Sequence, residues 1–335
     1  MRTKTGISYF GNRNPRHFLV DLEEIISHNC NFIVHTFSEN DQLFYQATMR
    51  EMVELSKKAD LEVYLEPWGV GRVFGGEAFS SFALKNLDTC QQMFSGKTAP
   101  ASCLNNPRFV DFMMGWIDDA VQIGANVLLW NEPHFYNVWS ENDEAQDWSC
   151  CCESCRKKYA IFYGERFPET VNDDLFKFRE DSMVDFLATL CSYGKSKGAR
   201  NAVCLLPINE KAAGVSDWSK IARLPELDIL ATDPYWVFLN RDLRFFGDYV
   251  SRLMNLSKRF GVEPQIWIQN FKIPTGREPE ILEAIAIAYA EGIRNFAASS
   301  FSGSEYMSYI KCDNPKHVWD LLGEVYGKIR KGEWD

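Results

Sequence analysis

Apolar positions along the chain recur in two rhythms. Eight short runs rich in β-branched and aromatic residues lie at Thr5–Gly11, Asn31–Phe37, Leu61–Glu66, Asn126–Trp130, Ala202–Ile208, Leu227–Thr232, Gln265–Gln269 and Asn295–Phe301. Between them fall longer segments whose apolar side chains return every three or four residues, at Phe18–His28, Leu43–Ala59, Phe109–Ile123, Phe176–Lys197, Phe246–Phe260, Glu278–Glu291 and Lys316–Arg330. Continuous apolar runs this short predict strands covered on both faces, and the longer segments predict amphipathic helices with one buried stripe. Eight such strands predict a parallel sheet closed into a (β/α)8, or TIM, barrel rather than an open sheet. The first strand is not followed by Gly-x-Gly-x-x-Gly, which argues against a dinucleotide-binding α/β fold.

Two long insertions interrupt the alternation. Residues 69–106, after the third strand, carry Phe74, Phe79, Phe82 and Phe94; residues 134–149, after the fourth, carry Phe135, Tyr136, Trp139 and Trp148. Loops of this length in a compact domain are usually functional. In a barrel both leave the carboxyl-terminal face, where active sites lie, so they are expected to form one wall of the site.

Composition narrows the partners. With 335 residues, 46% hydrophobic and 14% aromatic, the chain can build one large core, and no linker divides it, so residues 1–335 are expected to form a single barrel domain. A formal charge of −10 and a pI near 5.2 oppose nucleic acid or an anionic membrane as the partner, and leave neutral or cationic ligands. Met1 to Thr5 lead into the first strand without an apolar signal core, and no run is long enough to span a bilayer. The ten cysteines then read as reduced thiols in a cytoplasmic protein. Homo-oligomerisation is left open.

The polar residues at strand ends are the candidate chemistry. Val127-Leu128-Leu129-Trp130 ends in Asn131-Glu132-Pro133, a polar pair where barrels carry catalytic groups. Glu66, Glu210 and Asp233 end other strands, Glu305 follows the eighth, and His35 ends the second. Trp68, Tyr235, Trp236 and Trp267 are placed to stack on a ligand face, with Tyr9 and Arg72 as weaker candidates for the same rim. Cys150, Cys152 and Cys155 form Cys-x-Cys-x-x-Cys, and Cys103 lies upstream. Four thiolates satisfy Zn2+ tetrahedrally and leave no open position, so such an ion would be structural. Cys151 is a spare thiol, and Cys30, Cys90, Cys191, Cys204 and Cys312 read as small core residues.

Trp130-Asn131-Glu132-Pro133 resembles the fourth-strand motif of the clan A glycoside hydrolases, the 4/7 superfamily of (β/α)8 enzymes. The cysteine cluster, with Cys103 preceding Asn105-Asn106-Pro107, is similar to the zinc site of the family 42 β-galactosidases. The resemblance implies a carbohydrate substrate, Asn131 on a sugar 2-hydroxyl, Glu132 as acid/base, and a structural zinc on Cys103, Cys150, Cys152 and Cys155. The chain departs from the clan at the seventh strand, Ile266-Trp267-Ile268-Gln269-Asn270-Phe271, where Gln269 replaces the nucleophilic Glu. The second carboxylate is then expected from Asp233, in a segment resembling the family 42 Asp-x-Tyr, or from Glu305. With either, an inverting pair would stand roughly 6.5–9.5 Å apart, and Gln269 would hold a sugar hydroxyl or the attacking water. Substrate-assisted cleavage, a non-catalytic sugar-binding barrel, and a lyase or isomerase with Glu132 as base are the alternatives.

Overall fold

The computed structural model describes residues 3–136 and 147–334; Trp139 of the second insertion lies outside them. Eight parallel strands close into a barrel: β1 (Lys4–Tyr9), β2 (Phe32–Thr36), β3 (Glu62–Glu66), β4 (Val127–Asn131), β5 (Arg200–Leu205), β6 (Ile229–Thr232), β7 (Glu263–Gln269) and β8 (Asn295–Ser299). Each strand pairs with its neighbours in sequence order, and β8 returns to β1 through Thr5 opposite Phe296 and Ile7 opposite Ala298. The expected TIM barrel is therefore the architecture observed.

Alternation along the strands explains their apolar runs. Phe32, Val34, Tyr64, Val127, Leu129 and Trp267 belong to a cluster that fills the lumen. Ile33, Val63, Leu128, Trp130, Ile266 and Ile268 belong to the larger core between the strands and the surrounding helices. Both faces are dry, so both positions of the two-residue repeat are apolar. At the amino-terminal end, Arg200 bridges Glu62 and Glu263, and Lys4 joins the same two carboxylates.

The helices follow their local signals. Pro107–Ile123 begins with Asn106 as cap and Pro107 in its first turn, ends on Gly124 at φ 114°, and buries Phe109, Met113, Trp116 and Ile117. The segment predicted as one helix over Leu43–Ala59 is two, Glu39–Phe44 and Gln46–Lys58, meeting at Tyr45. Ser38 and Asp41 form a capping box that starts the first helix earlier than apolar periodicity alone suggests.

The first insertion has structure that the sequence pattern conceals: a short helix, Ser81–Lys85, and an antiparallel hairpin, Cys90–Gln92 with Thr98–Ser102. Strands of three and five residues show too little alternation to be recognised. The buried Glu39 carboxylate anchors this insertion, accepting from Gly71 N (3.0 Å), Ser80 Oγ (2.6 Å), Ser81 Oγ (2.9 Å) and Phe82 N (2.6 Å). The hairpin reaches the second insertion through Phe94 N to Trp148 O (3.0 Å) and Cys151 N to Gln92 O (2.9 Å). The hairpin is thus tied to the described end of the second insertion and to the cysteine segment after it.

Closure of β1 on β2 depends on Gly6, because a Cβ there would stand 2.3 Å from the Phe32 ring. Gly6→Ala is expected to cost about 1–3 kcal/mol in urea unfolding, as overpacked cores do; an unchanged midpoint would contradict this packing.

Candidate active site and thiol cluster

A cavity of about 450 Å³ opens at the carboxyl ends of the strands. Its lining combines Phe10, Glu66, Trp68, Asn131, Glu132, Asp233, Tyr235 and Trp267 from strand ends with Arg72, Phe74 to Glu77, Phe79 and His134 from the insertions. Phe238, Phe271 and Tyr309 complete the wall. A wider hollow of about 650 Å³ lies at the amino-terminal end, among Lys4, Lys57, Asp60, Glu62 and Arg330. It is an open polar surface without convergent catalytic groups, so the candidate site is the carboxyl-terminal cavity.

The backbone at the end of β4 is bent to deliver Glu132. Its φ of 45° is in the left-handed region, sparsely populated by residues other than Gly. Gly75 makes room: a Cβ there would fall 2.3 Å from Glu132 Oε2 and 2.9 Å from Asn131 Nδ2. Glu132 keeps some surface open to the cavity, with protein on its other sides. Its carboxyl group meets that of Asp233, which is buried and whose Oδ1 has no conventional donor.

Two carboxyl groups in hydrogen-bond contact resist ionising together, so the pair holds its last proton more tightly than a lone carboxyl does. Burial first, and then the charge of Glu132, push Asp233 well above the usual carboxylate range. Glu132 is raised chiefly by desolvation, opposed by its hydrogen bond with Asp233 and reinforced by the charge of Glu77. Glu66, buried at the end of β3, is also pushed well up, by burial and then by Glu132 and Glu77. Burial lowers His134 to about 4, and its Nδ1 bonds the Glu132 carbonyl at 2.6 Å, so the ring is neutral and braces the same turn.

The walls are aromatic. Trp68 stacks on Phe10 with centroids 5.0 Å apart, and Tyr235 meets Phe271 edge-on at 5.0 Å. Trp267 forms part of the floor, its Nε1 donating to Gln265 Oε1 at 3.2 Å. Arg72 donates to Gly76 O and Ala78 O and so shapes the turn that presents the exposed Glu77.

Of the residues singled out in the sequence, Glu66, Trp68, Asn131, Glu132, Asp233, Tyr235 and Trp267 line the cavity together, and four do not. Gln269 is buried and held by loop backbone: its Oε1 accepts from Val237 N (3.0 Å) and Phe238 N (3.2 Å), and its Nε2 donates to Phe271 O (2.8 Å). It clamps the loops after β6 and β7 and, being buried, does not line the cavity. His35 faces outward from β2, packed against Tyr9 and Phe18 with Nε2 3.1 Å from Ser56 Oγ, and burial holds it neutral. Trp236 is buried against Phe246 and donates to Glu280 Oε2 at 2.7 Å. Glu305 is exposed, outside the cavity lining. Of the weaker candidates, Tyr9 is core, bonded to Asp21, and Glu210 is paired with Arg252. The wide spacing expected for Asp233 is also overturned, because Asp233 touches Glu132 instead of facing it across a water. Glu77 was missed; the adjacent Gly75-Gly76 was the available sign of a close backbone approach.

Cys103, Cys150, Cys152 and Cys155 converge beneath the insertions, with their sulfurs all within 4.8 Å of one another. Cys103 stands 3.5 Å from Cys155 and 3.4 Å from Cys152, far beyond disulfide length, about 2.05 Å. A tetrahedron with metal–sulfur bonds of about 2.3 Å has edges of about 3.8 Å, so the donor set fits a four-coordinate ion after small adjustment. Asn105 Nδ2 donates to Cys155 Sγ at 3.3 Å. Cys151 turns away to the Gln92 and Met93 carbonyls. Among the described residues, no other group of three or more His, Cys, Asp or Glu could share an ion.

No family model and no curated protein matches the chain. Solved structures do. The chain is similar to the endo-1,4-β-mannanase of Rhizomucor miehei, with a TM-score of 0.64 at 10% identity over 98% of this chain and 95% of that one. It is also similar to the endo-β-1,4-mannanase of Thermotoga petrophila, with 0.59 at 10% identity over 97% and 77%, and to the D-allulose 3-epimerase of a Methylomonas species, with 0.54 at 11% over 98% and 98%. Likeness at such identities establishes the barrel alone. No described helix is long and apolar enough to cross a membrane.

Two outcomes follow from this geometry. Gln269→Glu replaces the donor to Phe271 O by an acceptor and should lower stability by about 1–3 kcal/mol in urea unfolding; an unaffected midpoint would mean that the clamp is dispensable. Glu66, Glu132 and Asp233 have raised folded-state values, so the stability they contribute is complete below the unfolded carboxylate range and is lost as pH rises through those values. Asp233→Asn should therefore gain stability relative to wild type from the acid to the alkaline end of the pH range, read from melting curves. An equal difference at both ends would contradict the shared proton.

Proposed function

We propose that the protein hydrolyses a glycoside, with Glu132 as the acid that protonates the leaving oxygen. The observation that carries this reading is the carboxyl contact between Glu132 and Asp233 in an aromatic-walled cavity at the carboxyl-terminal face. An acid must draw on a proton held at working pH; the carboxyl pair holds it, and Glu132, the member with surface open to the cavity, delivers it. Asp233 acts through Glu132: it shares the proton and fixes the orientation of the donor. Asn131 and Glu66 supply hydrogen bonds to sugar hydroxyls, while Trp68 and Tyr235 offer flat faces for the ring. The cavity lies within the roughly 300–1,000 Å³ common for small-molecule sites.

Glycoside hydrolysis needs a second carboxylate, as nucleophile or as the base that activates water. With Asp233 joined to Glu132, Gln269 clamped and Glu305 outside, Glu77 takes this role. It stands at the cavity mouth on the Gly75-Gly76 turn, close enough for its charge to act on both Glu66 and Glu132. The thiol cluster binds zinc as a structural ion, since four thiolates leave no position for substrate. It fastens the segment after the hairpin to the segment after β4.

The engagement of Gln269 favours a second reading, a sugar-binding barrel without turnover, because the clan's nucleophile position is spent on holding loops. A screen of aryl glycosides and oligosaccharides, with the product anomer followed by NMR, separates the two. Glu132→Gln should reduce turnover of glycosides with poor leaving groups by about 10²–10⁴-fold, and of activated aryl glycosides far less. Glu77→Gln should reduce both. Sugar binding without hydrolysis of any substrate would leave the binding barrel as the function.

A further inference from the structure

The helix Asp173–Ser196 carries a cation that the site described above does not use. Arg179 is 1% exposed, and no carboxylate meets it among the described residues. Its Nη2 donates to Ala212 O at 2.6 Å, whereas Nε and Nη1 are buried without a partner. Its guanidinium lies 4.1 Å from the Phe135 ring centre and 5.1 Å from that of Trp148. Aromatic faces attract a cation but do not replace hydrogen bonds or a counter-charge, so a lone buried arginine is costly.

The neighbourhood supplies that counter-charge on one condition. Trp148 is two residues before Cys150, and Asn105 links Cys155 Sγ to Ser182 Oγ, one turn along the same helix from Arg179. Cys150 and Cys155 are near enough that thiolate charge there favours the guanidinium against its burial. Four neutral thiols give nothing to balance. Four thiolates around a divalent ion leave a net charge of −2.

We propose that Arg179 is the counter-cation of the metal-loaded thiol cluster, so that its charge sets the affinity of that cluster for a divalent ion. This rests on the cluster's being a metal site. Arg179 is a positioning residue: it touches neither ion nor substrate, and acts through the field at the sulfurs. Outer-shell groups of this kind typically change metal affinity by about 10–100-fold. Because Arg179 also packs on Phe135, three residues after Glu132, while Phe135 N bonds Ala213 O at 3.1 Å, the ion would also stabilise the turn behind the acid.

The test is competition of the whole protein against a chelator for Zn2+, with Co2+ absorption reporting tetrathiolate geometry, for wild type, Arg179→Lys and Arg179→Met. Affinity should follow charge: Lys close to wild type, Met weaker by about 10–100-fold with the same Co2+ spectrum. Melting should show opposite signs, Met stabilising the metal-free protein and destabilising the loaded one. Should Arg179→Met fail to fold, Arg179→Gln carries the same expectation. Equal affinities of wild type and the neutral variant, or equal losses in Lys and Met, would make Arg179 a packing residue and overturn the proposal. A wild type that binds neither ion would overturn the metal reading itself, and the proposal with it.

Discussion

The carboxyl contact between Glu132 and Asp233 is the constraint on which the site depends. Two acids brought together away from water are unfavourable unless a proton remains between them, and the surrounding structure keeps them together. Barrel closure fixes the ends of β4 and β6 on either side of β5. The left-handed turn at Glu132 and the absent side chain at Gly75 then set the approach of the carboxyl. Irregular loops over this pair need partners for their backbone groups, and buried polar side chains provide them. Glu39 collects donors from the first insertion, and Gln269 collects those of Val237 and Phe238.

This division between supporting and reacting polar groups is what the sequence conceals. The strands are legible because each is dry on both faces, and Asn131-Glu132 is legible because a polar pair ends an apolar run. The same dryness hides which alternate positions face the lumen, so His35 looked like a rim residue while its neighbours Phe32 and Val34 fill the barrel. Trp236 and Gln269 failed as ligands for a related reason. Their residue types suit a sugar site, but the Glu280 carboxylate and the loop amides claim their hydrogen bonds first. Glu77 carries no periodic signal, since it belongs to an exposed turn whose position is set by Arg72 and the close approach of Gly75 to Glu132.

The thiol cluster was legible because its chemistry is local: Cys150, Cys152 and Cys155 spaced Cys-x-Cys-x-x-Cys, with Cys103 upstream. Its meaning for the site came only with the fold. The hairpin and Cys103 of the first insertion meet the Cys150–Cys155 segment, and Phe135 and Arg179 pack behind the turn at Glu132. Removal of the ion would therefore act on the shape of the cavity wall more than on the reacting groups.

The central claim is that one proton resides on the Glu132–Asp233 pair when the protein is at neutral pH. Carbon-13 NMR titration of side-chain carboxyls, with the pair assigned by comparing wild type with Asp233→Asn, measures it most directly. The pair is expected to titrate in two separate steps, both displaced above the usual carboxylate range, the second well above it. Two carboxylates both fully ionised at about pH 7 would contradict it.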